Sequence, residues 1–227
     1  MQKTAVLLIL ILFLSFMPAM HCYAEPSGIK THKNLAPDLY KVLHRLEDKT
    51  SEIRTLKTGF IQEKELAVFK NKIILKGMIF LQKPELFAWH IIEPLSYSMV
   101  IKGDILSQWD ENTKKIQKIS LAKNPAFQVA ISQMKDWFSG KYTSMTEDYN
   151  IIILKKNPVS LKFIPKKNTT AGNVIDSVTV IFRDDERYIH QIYIKEKSSN
   201  STLLTFVNTQ LNTPFEASAW EIQPRVR

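Results

Sequence analysis

A single cysteine, Cys22, is present among the 227 residues of the chain. It lies near the N-terminus, in a segment that we predict to be removed. The rest of the chain then has no thiol, which excludes a disulfide framework, a cysteine-based metal site and a thiol nucleophile. Because the bulky His21 precedes Cys22, we also expect no lipid anchor. The fold has to rely on a hydrophobic core, and a chain of this length can bury one.

Glycine and the common catalytic motifs are also scarce. Only 6 glycines occur, none in a phosphate-binding loop, and neither an HExxH nor a GxSxG sequence is found. Four histidines follow the N-terminal segment, each alone in its surroundings: His32, His44, His90 and His190. We interpret them as structural or solvated side chains, and Asp184-Asp185-Glu186 as a solvent-facing turn. The sequence therefore predicts a protein that is not an enzyme and has no cofactor or metal site.

The N-terminal residues have the pattern of a secretory signal peptide, residues 1–24. Lys3 supplies a positive charge, an apolar run from Ala5 to Met17 follows, and Pro18 ends it. The run is shorter than the roughly 20 residues of a membrane-spanning helix, so an uncleaved anchor helix is the less favoured alternative. We predict cleavage after Ala24 and export to the periplasm.

Positive charge predominates but is not concentrated. The chain has 31 Lys and Arg residues against 22 Asp and Glu residues, a formal net charge of +9. Basic residues spread over nearly every segment indicate a solvated surface, with a weak attraction to anionic lipid or acidic partners left open. No basic cluster is interleaved with aromatic residues, so we expect no nucleic-acid partner. We interpret residues 25–227 as one domain.

A helix followed by a series of strands is predicted for the first half of this domain. Pro37 suits a first helical position, and Leu39, Leu43 and Leu46 recur at helical spacing as one apolar stripe. Residues 56–120 contain short runs rich in Ile, Val, Phe and Trp that are separated by turn residues, which predicts six antiparallel strands.

A second amphipathic helix is predicted between Asn124 and Gly140. Asn124 suits the N-cap, Pro125 the first helical position and Gly140 the stop. The apolar stripe of this helix is formed by Phe127, Ala130, Ile131, Met134, Trp137 and Phe138.

The remainder of the chain returns to short alternating runs. Five further strands are predicted within residues 149–207, and Trp220-Glu221-Ile222 is predicted to form a last strand. The predicted fold class is mainly β (α+β), with a single antiparallel sheet of about 10 to 12 strands. An open sheet of that size curls, and the two amphipathic helices are the pieces that can cover its concave face.

Several short motifs stand out between residues 58 and 104. They are Thr58-Gly59-Phe60-Ile61-Gln62-Glu63-Lys64, Gly77-Met78-Ile79-Phe80-Leu81-Gln82-Lys83-Pro84-Glu85-Leu86-Phe87-Ala88-Trp89, Pro94 and the turn Lys102-Gly103-Asp104. Together with the later proline-capped helix, their order resembles the LolA family of periplasmic lipoprotein carriers. The resemblance covers nearly all of residues 25–227 as a pattern and is specific around residues 58–104.

The resemblance implies an incomplete antiparallel β-barrel with a helical lid, whose apolar interior receives acyl chains of lipoproteins. Alternation along the strands then assigns to the concave face Phe60, Ile79, Leu81, Phe87, Trp89 and Ile91. The alternative is that these residues form an ordinary core. The lid helices contribute Leu39, Leu43, Leu46, Phe127, Ile131, Met134 and Trp137.

The resemblance also implies a lid latch. Family members place a basic residue, most often arginine, before the proline that corresponds to Pro84, where it holds the lid by hydrogen bonds. Here that residue is Lys83. A lysine is a point charge without the planar fork of arginine, so we expect fewer and less directional bonds to the lid.

The implied partners are an acylated lipoprotein, an inner-membrane exporter and an outer-membrane acceptor, with one subunit sufficient for the carrier. A carrier of another exported lipid, such as a glycolipid or a polyene lipid, stays open because of Lys83 and the short stretch after Pro224. A non-catalytic periplasmic module that binds another protein at the sheet edge, and an enzyme, are the remaining alternatives.

Overall fold

The computed structural model describes residues 36–69, 71–110, 114–123, 136–167 and 169–222. The predicted signal peptide and cleavage point lie outside these residues. So do the first residues of the predicted second helix, including Phe127, Ile131 and Met134.

Helix α1 comprises Pro37–Ser51 and begins at the proline, as predicted. A proline is tolerated there because the first N–H groups of a helix have no partner within it. The apolar stripe faces the sheet, with Leu43 and Leu46 fully buried and Leu39 partly buried against the same core. In the last turn, Thr50 Oγ1 donates a hydrogen bond to Leu46 O at 2.8 Å.

One antiparallel sheet of 11 strands makes up most of the described chain. The first six strands are β1 (Thr55–Glu65), β2 (Ile73–Gln82), β3 (Leu86–Glu93), β4 (Tyr97–Lys102), β5 (Ile105–Asp110) and β6 (Lys115–Ser120). The other five are β7 (Tyr149–Lys156), β8 (Val159–Pro165), β9 (Ile175–Phe182), β10 (Ile189–Glu196) and β11 (Ser201–Leu211). The predicted fold class and the predicted groups of six and five strands are confirmed.

The order of the strands shows that the sheet is not closed. It runs β6-β5-β4-β3-β2-β1-β11-β10-β9-β8-β7, so that each half is a series of hairpins and the pairing of β1 with β11 joins the halves. β6 and β7 lie at the two ends and do not pair with each other. The arrangement is an incomplete barrel whose concave face holds the core.

The predicted last strand at Trp220-Glu221-Ile222 is wrong. Residues Ala217–Trp220 form a 3₁₀ helix instead, and the two residues after it are not in a strand. The Trp220 ring packs edge-on against Phe80 and Phe215, at centroid distances of 6.4 and 5.6 Å. Because Phe80 alternates with inward residues of β2, this segment lies on the outer face of the sheet. The Trp220 ring is partly buried there without joining the hydrogen-bonded ladder.

The second lid element is helical over residues 136–139. The predicted stop is confirmed, since Gly140 has a positive φ of 81°. A side chain at this position would also collide with α1, because a Cβ on Gly140 would lie 2.6 Å from Thr50 Cβ. The glycine therefore both ends the helix and allows the two lid elements to touch.

A short helix that the sequence did not predict, α2 (Thr170–Val174), connects β8 to β9. Thr169 caps it, since its Oγ1 accepts a hydrogen bond from Gly172 N at 3.1 Å. Across the described ranges, no helix is both long and apolar enough to pass through a membrane.

Candidate functional site

The concave face carries a continuous apolar surface on β1, β2 and β3. All six residues that the sequence assigned to it are buried in one cluster: Phe60, Ile79, Leu81, Phe87, Trp89 and Ile91. The register explains how they meet, because Ile79 lies opposite Trp89 and Leu81 lies opposite Phe87 in the β2–β3 ladder. Directly opposed side chains on one face of a sheet are in contact distance.

Gly77 makes room for the largest side chains of this surface. It lies opposite Phe60 on β1, whose ring passes over the glycine, and a Cβ there would be 2.6 Å from the ring. The freed space lets the Phe60 ring approach Trp89 with centroids 4.5 Å apart. The glycine of the motif at residues 77–89 is thus required by packing across the concave face.

The helical residues 136–139 place two aromatic side chains in the concavity. Phe138 lies 6.0 Å from Phe87 and 5.7 Å from Phe206, measured between ring centroids. Trp137 packs edge-on against Phe163 at 4.7 Å. These two rings therefore cover part of the concave face, and a void of about 20 Å³ lies beside them, next to Phe206.

Lys83 joins the ends of the two lid elements. Its Nζ donates hydrogen bonds to Thr50 O at 2.9 Å and to Ser139 O at 3.3 Å, which are carbonyls at the C-terminal ends of α1 and of residues 136–139. A cation near the C-terminal end of a helix is favourable because the carbonyl dipoles point toward it. Burial lowers the pKa of the Lys83 ammonium. The role of Lys83 as a latch stays a prediction.

A second charged contact holds α1, and sequence reasoning missed it. Arg45 donates two hydrogen bonds to the Glu186 carboxylate, at 2.8 and 3.0 Å, and Lys49 Nζ donates a third at 2.9 Å. Glu186 lies in the β9–β10 turn that the sequence assigned to solvent, and its pKa is lowered mainly by the hydrogen bonds from Arg45. The spacing of Arg45 and Lys49, four residues apart on one helix face, was the available signal.

Polar side chains lie on the concave face beside the apolar surface, which the sequence did not predict. Tyr97, opposite Ile91, donates a hydrogen bond to Gln108 Oε1 at 2.8 Å, and Gln108 Nε2 donates one to Gln117 Oε1 at 2.8 Å. Burial raises the pKa of the Tyr97 hydroxyl far above its usual range, so that it remains a donor. Gln62 follows Phe60 on the same face of β1 and is also buried.

His90 lies on the outer face of the sheet, beside Phe80, and His32 lies outside the described residues. His90 Nδ1 lies 2.8 Å from Ser98 Oγ, and its Nε2 lies 3.0 Å from Ala219 O, so the ring ties the C-terminal segment to the sheet. Burial lowers its pKa. A groove of about 720 Å³ lies beside it, between the sheet and the segment that contains Phe215. Among the residues that the structure describes, no three metal-ligating side chains come together.

Comparison with known proteins identifies a matching family. The family model described as "Outer membrane lipoprotein carrier protein LolA" matches residues 51–223. An outer-membrane lipoprotein carrier protein of Pseudoalteromonas translucida is 20% identical over 79% of this chain and 81% of its own length. One from Pseudomonas syringae pv. tomato is 26% identical over 65% of this chain and 67% of its own length.

Among solved structures, MucB has a similar fold. It aligns with a TM-score of 0.53 and 9% identity, over 83% of this chain and 64% of the MucB chain. At that identity the likeness concerns the fold alone.

Proposed function

The chain belongs to the LolA family of outer membrane lipoprotein carrier proteins, and from this premise we propose that it carries acylated lipoproteins across the periplasm, from the inner to the outer membrane. In this proposal the acyl chains bind between the lid and the concave face, over Phe60, Ile79, Leu81, Phe87, Trp89 and Ile91. The protein acts as one subunit without catalysis or a cofactor. An inner-membrane exporter supplies the cargo and an outer-membrane acceptor receives it.

The observation that carries the proposal is the packing of the lid residue Phe138 on the concave face. The Phe138 ring rests on Phe87 and Phe206 and so takes up space over the concave face that an acyl chain would need. An aliphatic chain can take the place of these side chains if the lid moves away. The same apolar surface then serves as a closed core without cargo and as a binding site with it.

The binding free energy of acyl chains explains why a cavity covered by a displaceable lid suits a carrier. Burying one acyl chain of about 15 methylenes is worth on the order of 12 kcal/mol, at ~0.8 kcal/mol per methylene. Several fully buried chains would approach the practical limit of non-covalent affinity, roughly 18 to 21 kcal/mol. Displacing the lid offsets part of this gain, which keeps the cargo releasable.

Lys83 is the residue that we propose as the latch of the lid. It donates hydrogen bonds to both lid elements, and opening the lid breaks these bonds. The Lys83 ammonium is a point charge that donates one hydrogen bond to each of two carbonyl oxygens. The closed lid therefore depends on two separate bonds, whereas the planar fork of an arginine could hold both oxygens in a fixed geometry.

Mass spectrometry of organic extracts tests the proposal. The protein is purified from the periplasm as wild type, as Phe87→Glu and as Ile74→Glu, a control on the exposed outer face of β2. Lipoprotein acyl chains recovered with the wild type and with Ile74→Glu, but not with Phe87→Glu, would support the carrier. Masses of a glycolipid or polyene lipid would identify the alternative cargo. Wild-type protein that is folded and repeatedly empty, even after incubation with membranes, would overturn the proposal.

A further inference from the structure

Gln62 is a polar residue in an apolar part of the concave face. It follows Phe60 on the same face of β1 and lies opposite Leu75 of β2 and Leu204 of β11. Its side chain is only 4% exposed. The amide is therefore enclosed by apolar neighbours on both adjacent strands.

The Gln62 side chain has no hydrogen-bond partner among the described residues. A glutamine amide can donate two hydrogen bonds and accept two. Buried polar groups are nearly always paired, because an unpaired one destabilises the folded protein. An amide on the concave face that makes no hydrogen bond within the described part of the protein is therefore available to a ligand.

Residues beyond Gln62 show how the polarity of the cavity changes along β1. Two positions further, Lys64 Nζ lies 3.4 Å from Glu196 Oε1, with side chains 5% and 7% exposed. The inward side of this strand passes from a phenyl ring at Phe60 to an amide at Gln62 and then to an ion pair. A ligand with an apolar chain and a polar end fits this gradient with its chain over Phe60.

We propose that Gln62 binds the carbonyl group at the head of an acyl chain, so that the cavity recognises ester- or amide-linked chains and not hydrocarbon alone. This inference rests on the carrier function proposed above and names the class of its cargo. An acyl chain has its polar atoms at the linkage, and the amide N–H groups of Gln62 donate to that carbonyl oxygen. A lipid without the carbonyl leaves the buried amide unpaired and is bound less tightly.

Two lipids of equal chain length test the inference. 1-Palmitoylglycerol has an ester carbonyl, whereas 1-O-hexadecylglycerol has an ether at the same place. Each is radiolabelled and included in phosphatidylcholine vesicles, and its transfer to the protein is measured after the vesicles are removed. The variants are Gln62→Met, which keeps the side-chain length, and Gln210→Met, a control on the exposed outer side of β11.

We expect the wild type and Gln210→Met to prefer the ester by about three- to tenfold, the range of one neutral hydrogen bond. Gln62→Met should lose this preference and keep its binding of the ether. Equal binding of both lipids by the wild type, or an unchanged preference in Gln62→Met, would overturn the inference and leave the carrier function intact. Transfer of neither lipid to the wild type would overturn the carrier function and the inference with it.

Thermal unfolding of the empty protein gives a second readout. Because Gln62 has no hydrogen-bond partner among the described residues, replacing its amide by the apolar Met should raise the melting temperature. A lower melting temperature in Gln62→Met would show a structural partner for the amide and would contradict the inference.

Discussion

The ring of Phe138, on the lid, lies 6.0 Å from the ring of Phe87, on the concave face. The two residues come from opposite sides of the proposed lipid site. Their contact means that the empty site is occupied by the protein itself. In the proposed function, lid closure and cargo binding therefore compete for the same apolar surface.

Replacing Phe138 by Ala should favour loading. The substitution removes lid contacts with the sheet, and because the ring is partly buried we expect it to lower the free energy of unfolding by roughly 2 to 3 kcal/mol. Less of the binding energy is then needed to displace the lid, so transfer of acyl lipid from vesicles should increase. Phe215→Ala, which acts on the outer face, is the control for stability alone. Reduced lipid transfer in Phe138→Ala would mean that the ring itself holds the cargo.

Replacing Lys83 by Met should weaken the closed lid. The change leaves the carbonyls of Thr50 and Ser139 without their donor, which we expect to cost about 1 to 3 kcal/mol of stability in urea unfolding. Amide hydrogen exchange in α1 should become faster, while Lys83→Arg should keep or slow it because its fork can hold both oxygens. Lys102→Met, at an exposed position, is the control. Equal exchange rates in all four proteins would exclude a latch at Lys83.

Acid should loosen α1 through Glu186. The pKa of its carboxyl is lowered from the ordinary value of 4.5, mainly by hydrogen bonds from Arg45. The stabilisation is therefore complete above about pH 4.5 and is lost as the pH falls through the lower, folded-state pKa. Because Arg45 and Lys49 are partly exposed, we expect about 1 kcal/mol.

Glu186→Gln tests this dependence by hydrogen exchange of α1 at pH 7 and pH 3. The variant should show lower protection factors for the α1 amides at pH 7 than the wild type. These protection factors should also change less between pH 7 and pH 3. Asp184→Asn, in the same turn, should behave as the wild type. An acid response that is undiminished in Glu186→Gln would assign it to another carboxyl group.

Gly77→Ala should disrupt the concave face. The added Cβ would overlap the carbonyl oxygen of His90 and lie 2.6 Å from the Phe60 ring, so the β2–β3 ladder or the ring has to move. We expect a loss of about 1 to 3 kcal/mol or more in urea unfolding, as for other overpacked cores. Gly59→Ala is the matched control on β1, since its Cβ meets the Val207 side chain at 3.0 Å. Similar losses in both variants would argue against a special role of Gly77.

Most of the elements could be predicted because their signals are local. The alternation and turn residues between residues 56 and 120 act over a few positions each and predicted the six strands that form. The positive φ of Gly140 likewise follows from a residue type that tolerates it. Side-chain parity along β2 and β3 was enough to put Ile79 and Trp89 on one face, and both are buried there.

By itself the sequence determined the fold class, the strand runs and the inward side of each strand, since these depend on periodicity and on residue type. Only the tertiary structure decided which distant residues meet, such as Arg45 and Glu186, 141 positions apart. It also placed Trp220 on the outer face and enclosed Gln62 between leucines of two other strands. The physical reason is that such contacts depend on the register and curvature of the whole sheet, which arise from all the strand pairings together.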